Sequence, residues 1–148
     1  MNRGAAFAAA ALQLAIAAPA SAKPPEYFGS DLGFPFSEAV QVGDMLFLAG
    51  QIGASPGTRT VVPGGIDAET KQVMENIGAV LRRRGLGFDS LVKCTVMLTD
   101  MKDWPAFNTI YATYFKAGRY PARSAFGANG LALGSRVELE CWAYNPQK

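Results

Sequence analysis

Residues Ser135–Tyr144 read "SRVELECWAY", and their alternation decides how the chain must be layered. In a strand, successive side chains point to opposite faces. Val137, Leu139, Cys141 and Ala143 therefore share one face, and Arg136, Glu138, Glu140, Trp142 and Tyr144 share the other. The first set needs a hydrophobic cover. The second mixes carboxylates with large aromatics, a pattern suited to a subunit interface that also holds a polar site.

Working outward, the cover for the apolar face comes from two helical patterns. Val73, Ile77, Val80 and Leu81 recur at helical spacing after Asp67, a helix-capping residue type, and Gly85 ends the run. A second helix is predicted to open at Asp103, with Pro105 in its first turn and Phe107, Ile110, Tyr111, Tyr114 and Phe115 on its apolar face, and to close at Gly118. Two short β signals, "AVQV" and "MLFLAGQ", flank Gly43-Asp44, a pair suited to a tight hairpin turn. "SLVKCTVMLTD" is a further strand, and "YPARSAFG" (Tyr120–Gly127) another. Residues 53–65, "GASPGTRTVVPGG", read as a surface loop and residues 23–33, "KPPEYFGSDLG", as an irregular lead-in. Helix and strand alternate, which predicts an α/β (α+β) fold with a mixed sheet and both helices on one face.

The first 22 residues have the layout of a secretory signal peptide: an early cation at Arg3, an apolar run, and "ASA" before Lys23. The run is interrupted by Gln13 and ends at Pro19, short of a membrane span. Cleavage is expected after Ala22, leaving residues 23–148 as a single domain exported to the periplasm or the medium, with no membrane attachment thereafter. Without Arg3 the basic and acidic residues nearly balance. Such a chain carries no broad field for nucleic acid or anionic lipid, so small molecules and protein copies are the favoured partners. Arg82, Arg83 and Arg84 are best explained by a helix C-terminus, where cations are favourable.

The chain has no histidine, which excludes Ser-His-Asp and Cys-His catalysis and any imidazole acid or base. Carboxylates, arginine and the backbone must carry any chemistry. Cys94 and Cys141 are too far apart for a CxxC pair or a zinc cage. An oxidising compartment permits a disulfide between them, but each lies in an apolar strand pattern where a free thiol serves as a small core residue, and the latter is the expectation. The permanently charged Arg123 in "YPARSAFG" needs an anion or solvent, because an unpaired buried charge is costly. The residues alone leave two readings open: a cross-strand ion pair with Glu138 or Glu140, or a site for an external anion.

"VGDMLFLAGQIG", "ENIGAVLRRRGLGFDSLVKCTVMLTDMKDWPAFNTIYATYF", "YPARSAFG" and "RVELECWAY", in that order, resemble the RidA family, also called the YjgF/YER057c/UK114 family, over about residues 34–145. The resemblance implies a chorismate-mutase-like fold, a homotrimer with sites between subunits, no cofactor, and hydrolysis of enamine or imine intermediates to 2-oxo acids and ammonia. It also implies that Arg123 clamps the carboxylate of a small-molecule substrate and that Glu138 orients or activates the attacking water, with Glu140 as its same-face rival. Asn108, in "FNTIY", matches a family asparagine near the cleft, and Gly50, in "AGQ", a glycine whose backbone approaches the ligand. Three positions differ from typical deaminases of the family. Ala49 stands where a serine is usual, Phe36 where a tyrosine forms the aromatic wall, and Ala125 where many have a cysteine. A non-catalytic trimeric module that binds small carboxylates, and an endoribonuclease or translation inhibitor, are the alternative functions.

Overall fold

The computed structural model describes residues 23–30 and 32–147, so the expected signal peptide lies outside the described residues. Nine elements follow one another: β1 (Glu26–Gly29), β2 (Ser37–Val42), β3 (Met45–Leu48), β4 (Gln51–Ile52), α1 (Gly65–Arg82), β5 (Leu91–Leu98), α2 (Trp104–Ala112), β6 (Ala122–Gly127) and β7 (Val137–Tyr144). They form one mixed sheet in the order β1-β2-β3-β7-β5-β6, with β4 also paired to β7. Only β5 and β6 run parallel; the other pairs are antiparallel. The connection from β5 to β6 passes through α2, as a parallel pair requires.

Both helices lie on one face. The alternation in β7 is obeyed: Val137, Leu139, Cys141 and Ala143 are buried with Val73, Ile77, Leu81 and Phe107 in the core. The other face carries Phe47, Met97, Phe126, Glu138, Glu140 and Trp142 without cover from any described element. Trp142 and Phe47 meet edge to face on it, with ring centroids 5.0 Å apart.

Several boundaries differ from the sequence expectation. The lead-in contains a strand, β1, paired with β2 from Glu26 opposite Gln41. With only Phe28 half-buried, this edge strand has no succession of buried positions to impose a hydrophobic period, so its sequence carries little signal. Helix α1 starts at Gly65 after Gly64, whose φ of 115° favours glycine, and Asp67 sits in the first turn, where it favours the dipole without capping it. Met101–Asp103 form a 3-10 turn, so α2 begins at Trp104; it ends at Ala112, before Gly118. The basic run lies at the C-terminus of α1 as expected, with Arg82 in the last turn and Arg83 at the cap. Arg83 pairs with Glu38, and the Arg84 guanidinium lies 3.5 Å from the Phe28 ring centre, joining the end of α1 to β1 and β2.

The cysteines correct a further expectation. Cys94 and Cys141 are not free thiols but a disulfide, with Cα atoms 4.1 Å apart. The pairing of β5 with β7 sets them directly opposite each other and both point into the core. The strand register makes core burial and disulfide formation compatible.

Candidate functional site

Two groups of expected site residues form, on opposite faces of the sheet. The first is built around a bulge. Phe47 opposes Trp142 and Gln51 opposes Leu139, so the stretch from β3 to β4 holds one residue more than the β7 segment it faces. The extra residue falls around Ala49 and Gly50, where the strand bends toward Glu138. A Cβ on Gly50 would lie 2.0 Å from Glu138 Oε1 and 3.0 Å from its carboxyl carbon. Glycine is therefore required for the Glu138 carboxylate to lie over this bulge. The Ala49 N–H donates to the Glu38 carbonyl at 2.9 Å, fixing the start of β2 beside it.

Glu138 is half-buried, and its pKa is raised, first by burial and second by the neighbouring charge of Glu140. Glu140 differs in its partners, because it accepts a hydrogen bond from Trp142 Nε1 at 3.0 Å. A carboxylate raised by burial and without a donor among the described residues is suited to taking a proton, whereas one held by an indole N–H is suited to fixing a side chain.

The second group surrounds Arg123. In the parallel pairing of β5 with β6, Arg123 is level with Cys94, so it projects to the helix-covered side. Ser124, on the opposite side, accepts from Lys93 Nζ at 2.8 Å, which confirms the alternation. Asn108 Oδ1 accepts a hydrogen bond from Arg123 Nη2 at 2.6 Å. The guanidinium carbon lies 4.5 Å from the Trp104 ring centre and 4.6 Å from that of Tyr111. Beside it, Asn108, Tyr111, Ala112, Tyr120, Pro121 and Arg123 line an open hollow of about 360 Å³.

This placement rules out a cross-strand ion pair of Arg123 with Glu138 or Glu140 within one chain. Strand β5 separates β6 from β7, and Arg123 and Glu138 leave the sheet on opposite faces. Among the described residues the ion pairs are Arg83–Glu38 and Arg136–Asp103, and neither involves Arg123. The cation is held by an amide oxygen and aromatic rings, none of which neutralises it.

Of the five expected site residues, Gly50 and Glu138 come together, and Asn108 and Arg123 come together. Phe36 joins neither pair: it is exposed and stacks on Phe34, with centroids 5.0 Å apart and planes 6° from parallel. Glu69 was not anticipated. It is buried on α1, and its Oε2 accepts from Ser135 Oγ and from the Arg136 backbone N–H, each at 2.7 Å, so it anchors the entry to β7 two residues before Glu138. Gly53 makes room for it, since a Cβ there would lie 2.8 Å from Glu69 Cα. A lone glutamate at a buried helical position was the available signal.

The fold and the order of these residues can now be set beside known proteins. The family model described as Endoribonuclease L-PSP matches residues 32–145. The chain belongs to the RidA/YjgF family. A mouse relative named 2-iminobutanoate/2-iminopropanoate deaminase is 45% identical over 109 residues, covering 74% of this chain and 80% of its own. Among solved structures, a putative endoribonuclease from Thermotoga maritima superposes with a TM-score of 0.75 at 33% identity, covering 82% of this chain and 98% of that one. RidA from an Antarctic Psychrobacter superposes with a TM-score of 0.73 at 32% identity, over 80% and 98% of the two chains. The mixed sheet with two helices on one face is thus the architecture of this RidA-family chain and of its neighbours.

Proposed function

We propose that this RidA-family protein is a hydrolytic deaminase of small 2-imino acids and their enamine tautomers, releasing the 2-oxo acid and ammonia, and that it works as a homotrimer. The observation that carries the proposal is the separation of Arg123 from Glu138. Arg123 is held by Asn108 with no carboxylate partner among the described residues and Glu138 has a raised pKa, yet one chain presents them on opposite faces. An interface that covers the open face of one subunit with the β6 edge of another would bring the two groups to one cleft. The apolar and aromatic residues on that face give such an interface its driving force.

In the cleft, Arg123 binds the substrate carboxylate through two of its remaining N–H groups, which suit two parallel bonds. Glu138, ionised at the operating pH, accepts a proton from water as the water oxygen bonds to the imine carbon. The C=N π pair passes to nitrogen, which takes that proton from Glu138 and leaves the carboxylate ionised again. The carbinolamine then collapses: Glu138 takes the hydroxyl proton and passes it to the nitrogen, the C–N bond breaks, the carbonyl forms and ammonia departs. Water and proton transfer suffice, so the reaction calls for no cofactor. The curated mouse relative's name supports this substrate class.

Ammonia release from an imino acid generated in situ by an amino-acid oxidase tests the activity. Release faster than the spontaneous rate, lost in Arg123→Ala, is the expected result; release equal to the spontaneous rate refutes it. Ala49, which lacks the hydroxyl typical of the family's deaminases, favours a second reading as a carboxylate-binding trimer. That reading predicts 2-oxo acid binding without turnover. We also propose export through the N-terminal signal. The buried disulfide supports it, since such bonds persist in oxidising compartments. A mature chain beginning at Lys23 in the exported fraction is the expected mass, and an intact N-terminus there overturns the proposal.

A further inference from the structure

The rings beside Arg123 come from one face of α2. Trp104, Phe107 and Tyr111 are spaced three and four residues apart, so they form a row along the helix facing β6. Trp104 and Phe107 stack with centroids 5.9 Å apart and planes 16° from parallel; Phe107 and Tyr111 follow at 5.4 Å and 26°. The Arg123 guanidinium carbon lies 4.5, 5.7 and 4.6 Å from the three ring centres in turn. Asn108, on the adjacent position of the same helix, takes an N–H of Nη2. The cation is therefore held by α2 in two ways: an amide oxygen fixes one end, and ring faces fix its place above the helix.

We propose that Trp104 and Tyr111 are positioning residues for Arg123, holding the guanidinium so that two of its free N–H groups point together at a substrate carboxylate. This rests on the reading of Arg123 as a carboxylate clamp and adds what makes the clamp effective. A surface arginine spreads over many rotamers, and fixing one before the ligand arrives removes that cost from binding. Aromatic faces do this without neutralising the charge, as a carboxylate partner would. Tyr111 meets that condition. Its hydroxyl is buried and has no hydrogen-bond partner among the described residues, and burial pushes its pKa up to about 12 against the opposing pull of Arg123, so the ring stays a neutral phenol. A phenolate in its place would compete with the substrate for the guanidinium.

The test compares Trp104→Leu and Tyr111→Leu with Trp104→Phe and Tyr111→Phe in the assembled protein. Binding of 2-oxobutanoate is measured by calorimetry, and turnover is measured with an imino acid generated in situ. Loss of a ring is expected to raise the Kd roughly three- to tenfold, with the loss falling on KM rather than on kcat. The Phe variants should recover most of the affinity, Tyr111→Phe almost all of it because the hydroxyl has no partner to lose. Trp104 is only half-buried, so its variant keeps the test valid where Tyr111→Leu fails to fold. Arg123→Ala separates the two levels of argument. If it abolishes binding while both Leu variants bind like the wild type, the aromatic positioning is wrong and the clamp stands. If Arg123→Ala itself binds like the wild type, the clamp is wrong. A further loss on adding Trp104→Leu to Arg123→Ala would also overturn the proposal, since the ring would then act on the ligand without the arginine.

Discussion

Gly50→Ala is the sharpest perturbation of the proposed water-activating group, because it adds one methyl group at a known distance. The new Cβ would lie 2.0 Å from Glu138 Oε1, 3.0 Å from its carboxyl carbon and 3.2 Å from Cγ. No such contact is sustainable, so the carboxylate must turn away. The atoms in the way are the end of a flexible side chain, and Gly50 does not have the positive φ that would strain an alanine. The folded state should therefore lose only the cost of one displaced rotamer, about 0.5–1.5 kcal/mol. Part of that is offset by the reduced freedom of the unfolded chain, about 0.4–1 kcal/mol. The melting temperature should fall by no more than roughly 5 °C. Catalysis should suffer far more, because a general base must lie within hydrogen-bond reach of its proton; a loss of about 10²–10⁴ in kcat is expected. Turnover of an in situ imino acid, thermal unfolding and 2-oxobutanoate binding would be measured on the same preparation. Wild-type kcat in a folded Gly50→Ala protein would refute the assignment of Glu138 to the water.

Other outcomes follow from the same geometry. Arg123→Lys should bind 2-oxobutanoate poorly, because an ammonium keeps the charge but loses the planar fork; wild-type affinity in calorimetry would contradict a bidentate clamp. Glu138→Gln should retain binding and lose turnover. Glu140→Gln should be mild at neutral pH, yet shift the acidic limb of the pH–rate profile downward, since removing its charge lowers the Glu138 pKa and extends the ionised base to lower pH. Because the Glu138 pKa is raised by folding, the folded state binds that proton more tightly than the unfolded chain, and ionised Glu138 lowers stability as pH rises through the raised value. Glu138→Gln should accordingly be more stable than the wild type in denaturant titrations at neutral pH, an advantage that disappears in acid. Replacing Cys94 and Cys141 with alanine should cost about 2–4 kcal/mol in denaturant unfolding, given the sequence separation of 47; an unchanged midpoint would show that the bridge contributes nothing. Light scattering should find a trimer at micromolar concentration, and a stable monomer would remove the shared cleft.

The layering was legible because burial imposes a period. Alternation in Val137–Tyr144 named the core-facing side of β7, and the spacing of Val73, Ile77, Val80 and Leu81 named the buried stripe of α1. Glycine at 43 and 85 marked a hairpin turn and a helix end for the same kind of reason, since both have positive φ. Where no burial period exists, the sequence is silent, as at the edge strand β1, in which Phe28 alone is half-buried. Candidate site residues came from ordered motifs and from the absence of histidine, which left carboxylate and guanidinium as the available groups.

What the sequence alone determined, then, was which side of each strand is buried and which residue types remain for chemistry. Both follow from local periodicity and composition. Tertiary structure decided which strands are neighbours, and strand order is a long-range property that no local period encodes. Placing β5 beside β7 set Cys94 against Cys141 and joined them in the core. Placing β5 between β6 and β7 kept Arg123 from pairing with Glu138 or Glu140 of its own chain and turned it onto the ring row of α2. The bulge at Ala49 and Gly50 brought a main chain distant in sequence under the Glu138 carboxylate. Each of these contacts joins segments whose separation is set by the sheet, and so each arises only when the sheet has formed.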